Sequence, residues 1–300
     1  MFTDNKDYYD LSNPYSKLWI NVDKKDLPTK INKILKYELD DFKKEFYANT
    51  QNCKKLVKSF LNGNVYVLKN CLRQEEINNM IENVSADWKK EKFQFHKILD
   101  GVPNYSRRVD EKNNSKYSLR FDRYSSYFFP FNESKEKTKV FNYINRTLRL
   151  IKYISGYDEK IWEKNIPSDG VVDRVQICCY PDKTGGMELH QDPIAVQKFF
   201  ISAYLSKKGI NYEEGGIYCL NKKNEKIDLE QNINAGDFTL GLASLMHGVD
   251  KIKTTNSNTV LGDFPGRWWL GIYSVQTDYL KKRATTAPVK DKNLKKINSF

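Results

Sequence analysis

The sequence predicts a mainly β fold with flanking helices. Three observations indicate this: short apolar runs, turn residues between the runs, and helical periodicity that is confined to a few segments. The runs that we interpret as strands cover residues 173–180, 196–205, 215–220, 235–242 and 266–274. Turn signals such as Pro181–Gly186 separate them. Short strands at this spacing are typical of an all-β sandwich or barrel.

Amphipathic patterns predict three helices around these strands. The first covers Pro28–Phe42, which has apolar residues at helical spacing and a proline in its first turn. The second covers Gln74–Lys90. The third runs from Lys135 to Ser155 and ends before Gly156. We expect amphipathic helices of this kind to pack on the sheet.

The length of 300 residues allows one decorated domain with a substantial core. We divide the chain into an N-terminal helical extension packed on the core (1–55), a β domain (56–280) and a basic C-terminal tail (281–300). No apolar run approaches the length of a membrane span, and no signal peptide is recognisable. The five cysteines lack the spacing of a disulfide framework or a zinc site. We therefore expect a cytoplasmic protein without membrane contact.

The net charge of +12 raises the question of nucleic-acid binding. Half of this excess lies in residues 281–300, which we expect to be disordered or loosely helical. Lysine, asparagine, isoleucine and tyrosine are abundant throughout the chain, so the remaining charge reflects a general bias in composition. The charge distribution therefore argues against nucleic acid as the partner.

Two histidines and one carboxylate are the candidate metal ligands. His190 lies two residues before Asp192, and His247 follows in a later glycine-bounded segment. Residues i and i+2 of a strand point to the same face, so His190 and Asp192 can aim at one point. Taken alone, a His-x-Asp pair is more often a surface or hydrogen-bonded pair. Together with His247, however, it matches the facial ligand set of non-haem Fe(II) sites, which leaves positions open for a co-substrate and O2.

Arg267 is the fourth residue of interest, because it begins the strongly apolar strand Gly266–Ser274. A buried cation needs a partner, and the planar guanidinium group matches a carboxylate. Taken alone, the pattern favours a structural ion pair with an acidic side chain. The alternative is that Arg267 binds the carboxylate of a ligand.

The order His190-x-Asp192, His247, Arg267 resembles the Fe(II)- and 2-oxoglutarate-dependent dioxygenase superfamily. More narrowly, it resembles the branch that includes phytanoyl-CoA dioxygenase and the prolyl-hydroxylase-like enzymes. The other segments that carry this resemblance are Val65–Ile77, Tyr180–Gly186, Gly215–Gly216 and Ala235–Asp237. The resemblance implies a double-stranded β-helix core, which is a jelly roll of the cupin type.

The resemblance also implies the chemistry. Fe(II) would be held by His190, Asp192 and His247, and 2-oxoglutarate would chelate it while Arg267 holds the distal carboxylate. O2 would take the remaining position, and decarboxylation of 2-oxoglutarate to succinate and CO2 would accompany oxidation of the substrate. Related halogenases lack the metal-binding carboxylate. The presence of Asp192 therefore favours hydroxylation, or a desaturation, epoxidation or cyclisation derived from it.

Side chains on the strands around the metal motif are candidates for the 2-oxoglutarate pocket. They are Gln176, Tyr180, Ser202, Tyr204 and Trp269. For each of them the alternative is packing or hydrogen bonding within the barrel.

The stretch Phe93–Phe131 is rich in aromatic residues and arginine, and we expect it to cover the active site, because function often lies in variable segments on a rigid scaffold. The candidate substrate residues in it are Arg107, Arg120, Arg123 and Tyr124. They could hold an anionic small molecule. The alternative is a satellite aromatic core with solvated arginines.

The sequence thus predicts an Fe(II)- and 2-oxoglutarate-dependent oxygenase that hydroxylates a small-molecule metabolite. Two other functions stay open: a protein-residue hydroxylase of the prolyl type, and a non-catalytic jelly-roll protein that binds a ligand. The protein hydroxylase would need an open groove beside the metal rather than a closed pocket.

Overall fold

The computed structural model describes residues 6–47, 49–135 and 139–289, which fold into a double-stranded β-helix flanked by helices. The helices are Ser16–Ile20 (α1), Leu39–Phe46 (α2), Cys53–Leu61 (α3), Gln74–Trp88 (α4) and Val140–Ile154 (α5). The strands are Ile34–Glu38 (β1), Val65–Lys69 (β2), Tyr105–Val109 (β3), Phe121–Phe128 (β4), Val171–Pro181 (β5), Gly186–Gln191 (β6), Phe199–Tyr204 (β7), Glu214–Leu220 (β8), Lys226–Asp228 (β9), Phe238–Leu242 (β10), His247–Lys253 (β11), Gly266–Gln276 (β12) and Ala287–Pro288 (β13).

The strands form two layers. One has the order β1-β2-β10-β7-β12-β5-β4, with β3 paired to β4, and the other has the order β6-β11-β8-β9, with β13 paired to β6. Strand β4 joins the layers, because residues 124–128 pair with β5 whereas residues 121–122 pair with β6. Apart from the pair β1–β2, neighbouring strands in these layers are antiparallel. This arrangement confirms the predicted jelly-roll core.

Strand alternation decides which side chains enter the space between the layers. On β12 the side chains of Arg267, Trp269 and Tyr273 line this space, and on β5 those of Gln176 and Tyr180 do so. The residues between them, such as those at 268, 270 and 272, are buried in the core on the opposite face. The two central strands therefore offer a polar inner row and an apolar outer row.

A buried ion pair attaches α5 to the outer face of these central strands. The Lys152 ammonium group lies 2.5 Å from the carboxylate of Asp173 on β5, and both side chains are almost inaccessible to solvent. Ser274 on β12 donates a second hydrogen bond to Asp173, at 2.7 Å. The three side chains thus connect one helix to two neighbouring strands.

The predicted helix Pro28–Phe42 is wrong over most of its length. Residues Ile34–Glu38 form β1, which runs parallel to β2, and the helix α2 begins only at Leu39. Pairing with the sheet outweighs the local helical periodicity here, because a weak intrinsic preference yields to tertiary contacts. The prediction for Gln74–Lys90 is confirmed as α4, and the third helix begins at Val140 rather than Lys135.

The prediction of a disordered or loosely helical C-terminal tail is wrong for the first part of the tail. Residues 281–289 lie against the sheet, where Ala287 and Pro288 pair with Gln191 and His190 of β6. Residues 290–300 lie outside the described residues. The division into segments 1–55, 56–280 and 281–300 stays a prediction. Among the described residues, no helix is long and apolar enough to cross a membrane.

We expect Lys152→Ala to destabilise the protein by about 3 to 5 kcal/mol, because it leaves the Asp173 carboxylate buried without its cation. Urea unfolding followed by circular dichroism measures this change. Arg149→Ala is the matched control on the same helix, since Arg149 pairs with a partly exposed glutamate and should cost roughly 1 kcal/mol or less. Equal effects of the two substitutions would contradict a structural role of the buried pair.

Candidate active site

The pairing of β6 with β11 brings the two candidate histidine ligands together. His190 and His247 lie directly opposite each other in the antiparallel register, with ring centroids 4.2 Å apart. Asp192 follows β6, and its backbone N–H donates to the carbonyl of Ala243 at 3.0 Å. Its carboxylate oxygens lie 3.9 Å from Nε2 of His190 and 3.7 Å from Nε2 of His247.

Both imidazole rings present Nε2 to the same point. Nδ1 of His190 lies 2.8 Å from the carbonyl oxygen of Glu188, and Nδ1 of His247 lies 2.9 Å from that of Leu245. A carbonyl oxygen only accepts, so each Nδ1 carries the proton and each Nε2 keeps its lone pair. Burial and the neighbouring His247 hold the pKa of His190 well below its usual range. The neutral form, which is the form that binds metal, is therefore favoured.

This donor set fits a divalent iron ion. The ligand atoms of His190, Asp192 and His247 all lie within 4.8 Å of one another, and no other cluster of this kind occurs among the described residues. Two imidazoles and one carboxylate that leave positions open are typical of non-haem Fe(II) sites. A structural zinc site would normally be closed by a fourth protein ligand.

The three candidate ligands open into a cavity of about 450 Å³ between the two layers. The arginines that line it are Arg107, Arg123, Arg174, Arg267 and Arg283. The aromatic side chains that line it include Phe95, Tyr105, Phe121, Tyr127, Phe200, Trp269 and Tyr273. Its size is within the range of pockets for small-molecule ligands.

Arg267 is fully buried at this cavity and has an acidic partner on one side only. Its Nε donates to Glu230 at 2.6 Å, and Glu230 also accepts the hydroxyl of Tyr212 and the backbone N–H of Ile217. The Nη2 atom of Arg267 is buried and has no hydrogen-bond partner among the described residues. The structural ion pair therefore exists, yet it leaves one donor that an acceptor from a ligand would satisfy.

Ser202, Tyr180 and Trp269 line the same cavity as Arg267. The Ser202 hydroxyl is a second buried polar group without a partner among the described residues. The Tyr180 ring centre lies 5.4 Å from the Arg267 guanidinium carbon, and its hydroxyl accepts from Arg123 at 3.0 Å. These three residues stay candidates for the 2-oxoglutarate pocket.

The other two pocket candidates are already engaged. Tyr204 does not line the cavity, and its hydroxyl shares a 2.7 Å hydrogen bond with Thr239. Gln176 lines the cavity, but it accepts from the Tyr273 hydroxyl and donates to Ser125 at 3.3 Å. Both side chains thus make hydrogen bonds within the barrel, and their assignment to the 2-oxoglutarate pocket stays a prediction.

The candidate substrate residues divide into two groups. Arg107 and Arg123 line the cavity, whereas Arg120 and Tyr124 do not. The Arg120 side chain is 71% exposed and forms a surface ion pair, and Tyr124 stacks on Trp88 of α4 with ring centroids 5.4 Å apart. Alternation along β4 explains this result, because Arg123 faces inward and its neighbours face outward. Arg120 and Tyr124 thus lie outside the cavity that the metal ligands share, and Arg107 and Arg123 stay candidate substrate residues.

Sequence reasoning missed Arg174 and the C-terminal segment. Arg174 lies two residues before Gln176 on the same strand, so alternation could have placed it on the inner face. Thr286 lies 3.3 Å from the Asp192 carboxylate through its hydroxyl, and Arg283 lines the cavity. No local pattern in residues 281–289 predicts this return to the metal ligands.

No protein-family model and no curated protein sequence matches this chain. Solved structures do match it, and several of them are 2-oxoglutarate oxygenases or hydroxylases by name. One is a prolyl-4-hydroxylase from Pseudomonas putida, at 11% identity and a TM-score of 0.45, covering 75% of this chain and 99% of that one.

Two further structures show the same likeness. A Neurospora crassa protein in complex with alpha-KG and 5-formyluracil is 12% identical, with a TM-score of 0.47 and coverage of 84% of this chain and 86% of that one. A 2OG-Fe(II) oxygenase family oxidoreductase from Burkholderia pseudomallei is 12% identical, with a TM-score of 0.42 and coverage of 85% and 98%. The fold of this chain rests on the strand pairing described above, and its chemistry rests on the side chains of the site.

We expect His190→Ala to weaken Mn(II) binding by more than about 100-fold, since even changes outside the ligand set cost about 10- to 100-fold. Isothermal titration calorimetry with Mn(II) measures the loss. His96→Ala is the matched control, because His96 contacts Gln94 and Tyr105 and does not belong to the cluster. Unchanged Mn(II) binding in His190→Ala would contradict the assigned metal centre.

Proposed function

We propose that the chain is an Fe(II)- and 2-oxoglutarate-dependent oxygenase that hydroxylates a small molecule. One observation carries this proposal: the His190–Asp192–His247 cluster opens into the same cavity as the unpartnered Nη2 of Arg267. A metal site alone would fit many functions. A metal site that shares its cavity with a buried, half-satisfied arginine fits a co-substrate that chelates the metal at one end and carries a carboxylate at the other.

The residues of the chain would act mainly by positioning. Bound Fe(II) supplies the activation of O2 that is coupled to decarboxylation of 2-oxoglutarate. The carbonyls of Glu188 and Leu245 orient the two imidazoles, which keeps Nε2 on the metal side. Glu230 holds Arg267 in place, so that its remaining donors can receive the distal carboxylate together with the Ser202 hydroxyl.

The shape of the site favours a small molecule over a protein segment. The C-terminal segment 281–289 runs along β6, and Arg283 and Thr286 form part of the cavity wall. A prolyl-type hydroxylase needs an open groove for a peptide beside the metal, and this segment occupies the side of the cavity next to Asp192. We also propose that the substrate is anionic, because Arg107 and Arg123 line the cavity.

We expect the protein with Fe(II) and ascorbate to convert 2-oxoglutarate to succinate, slowly without substrate and faster with the right one. Mass spectrometry of succinate measures the reaction, and Asp192→Ala, which removes a ligand oxygen, should abolish it. If Mn(II) binds but 2-oxoglutarate neither binds nor turns over, the chain is a metal-binding jelly roll without this activity.

Arg267→Leu should weaken 2-oxoglutarate binding on the order of 10- to 100-fold, because a charged donor to the distal carboxylate is lost. This substitution also leaves Glu230 without its cation, so Ser202→Ala serves as a second variant that keeps the ion pair. We expect Ser202→Ala to cost roughly 2- to 10-fold. Ser206→Ala is the control, since Ser206 bonds the backbone of Trp268 and does not line the cavity. Calorimetry with Mn(II) present measures all three variants.

A further inference from the structure

Three arginines of the cavity have no acidic partner. They are Arg107, Arg123 and Arg174, and among the described residues no carboxylate lies within salt-bridge distance of their guanidinium groups. In each of them the Nε atom is buried and makes no hydrogen bond. Arg123 is only 8% exposed. Arg107 and Arg174 are partly buried. Cations that are withdrawn from water without an acidic partner are costly, so a set of three in one cavity calls for an explanation.

The other two arginines of the cavity show that acidic partners are available in this fold. Arg267 pairs with Glu230 at 2.6 Å, and Arg283 pairs with Asp278 at 2.9 Å. Outside the cavity, Arg108 pairs with Asp122 at 2.7 Å. Among the arginines that line the cavity, the lack of an acidic partner is therefore confined to Arg107, Arg123 and Arg174, the three inner arginines. Their positive charge is not compensated by the chain itself.

Two of the three guanidinium groups lie beside one aromatic ring. The guanidinium carbons of Arg107 and Arg174 lie 5.2 Å and 5.1 Å from the ring centre of Tyr127, and Arg107 donates to the Tyr127 hydroxyl at 2.7 Å. Burial would raise the pKa of Tyr127, but the three arginines outweigh it and the pKa is lowered. The region around Tyr127 thus has a strongly positive potential.

The remaining contacts of these arginines are aromatic or weakly polar. Arg174 also lies 4.8 Å from the ring centre of Tyr273, and Arg123 donates to Tyr180 and lies near the sulfur of Met187. Such contacts orient a guanidinium group without neutralising it. The N–H groups that these contacts leave unused can donate to an anion.

A count of charges gives the valence of that anion. Bound Fe(II) brings two positive charges and Asp192 one negative charge, while Arg267 is balanced by Glu230. The three inner arginines add three positive charges, and 2-oxoglutarate brings two negative charges. Lys116 also lines the cavity, but it is exposed and its charge is screened by solvent. The other charges of the cavity with metal and co-substrate leave an excess of about two positive charges, which a dianion would balance.

We propose that Arg107, Arg123 and Arg174 form a subsite for a dianionic group of the substrate, either a phosphate monoester or a pair of carboxylates. The inference rests on the proposed function, because the charge count includes Fe(II) and 2-oxoglutarate. Both groups present oxygen atoms with negative charge, which accept several charge-assisted hydrogen bonds. The aromatic rings beside the arginines would then contact the uncharged part of the molecule.

The test is calorimetric titration of the Mn(II) protein, saturated with 2-oxoglutarate, with inorganic phosphate in one arm and malonate in the other. We expect one anion to bind more tightly than the other, which identifies the source of the dianion. Arg107→Gln and Arg174→Gln should each weaken its binding on the order of tenfold. Both substitutions should leave the affinity for Mn(II) and for 2-oxoglutarate unchanged.

Arg120→Gln is the matched control, because Arg120 lies in the same arginine-rich stretch but is exposed outside the cavity. Anion binding that is lost equally in Arg120→Gln would overturn the subsite. Absence of binding for both anions in the saturated protein would overturn it too. An anion that binds only when 2-oxoglutarate is left out occupies the co-substrate pocket, which also overturns the inference.

Thermal unfolding separates a binding role from a packing role. If the role of Arg174 is to bind an anion, Arg174→Gln removes repulsion between the cavity arginines. The melting temperature of this variant without anions should then equal or exceed that of the wild type. A lower melting temperature with unchanged anion affinity would assign Arg174 to packing and overturn its place in the subsite. Failure of the wild type to bind Mn(II) or 2-oxoglutarate would instead refute the proposed function, and phosphate or malonate binding would then be measured without them.

Discussion

The register between β6 and β11 is the constraint on which the site depends. It sets His190 opposite His247, and the short step from β6 to Asp192 completes the cluster. Side chains alternate between the faces of a strand, so a slip of one residue would turn a histidine away from the cavity. The paired carbonyls that accept from each Nδ1 add a second constraint, since they fix which nitrogen faces the metal position.

The cavity behind this cluster concentrates positive charge that the protein does not neutralise. Arg267 is half satisfied by Glu230, and the three inner arginines have no acidic partner among the described residues. Uncompensated charge in the cavity lowers the free energy of unfolding of the protein without ligands. Anions that bind only to the native state raise this free energy again, because they shift the folding equilibrium. Functional sites commonly contain buried polar or charged groups without partners, whereas such groups are paired in the rest of the fold. This departure supports the cavity as the candidate functional site.

Local patterns predicted the parts of the site that lie within single strands. His190 and Asp192 could be paired because they are two residues apart, and Arg174 could have been added by the same rule from Gln176. The choice among Arg107, Arg120, Arg123 and Tyr124 could not be made, because the bounds and facing of β4 depend on its pairing with two other strands. The prediction of a helix from Pro28 was wrong for a related reason. The segment is compatible with helix and with strand, and pairing with β2 selects the strand.

The sequence by itself determined the jelly-roll class, the three candidate metal ligands and the arginine at the start of the last long strand. These features depend on residue type, on spacing within a strand and on order along the chain, all of which are local or one-dimensional. Only the tertiary structure decided that Glu230 partners Arg267 and that residues 281–289 return to β6. It also decided that Arg107, Arg123 and Arg174 line one cavity without an acidic partner among the described residues. Each of these depends on contacts between distant segments, and a charge is compensated or left unpaired only by what folding places beside it.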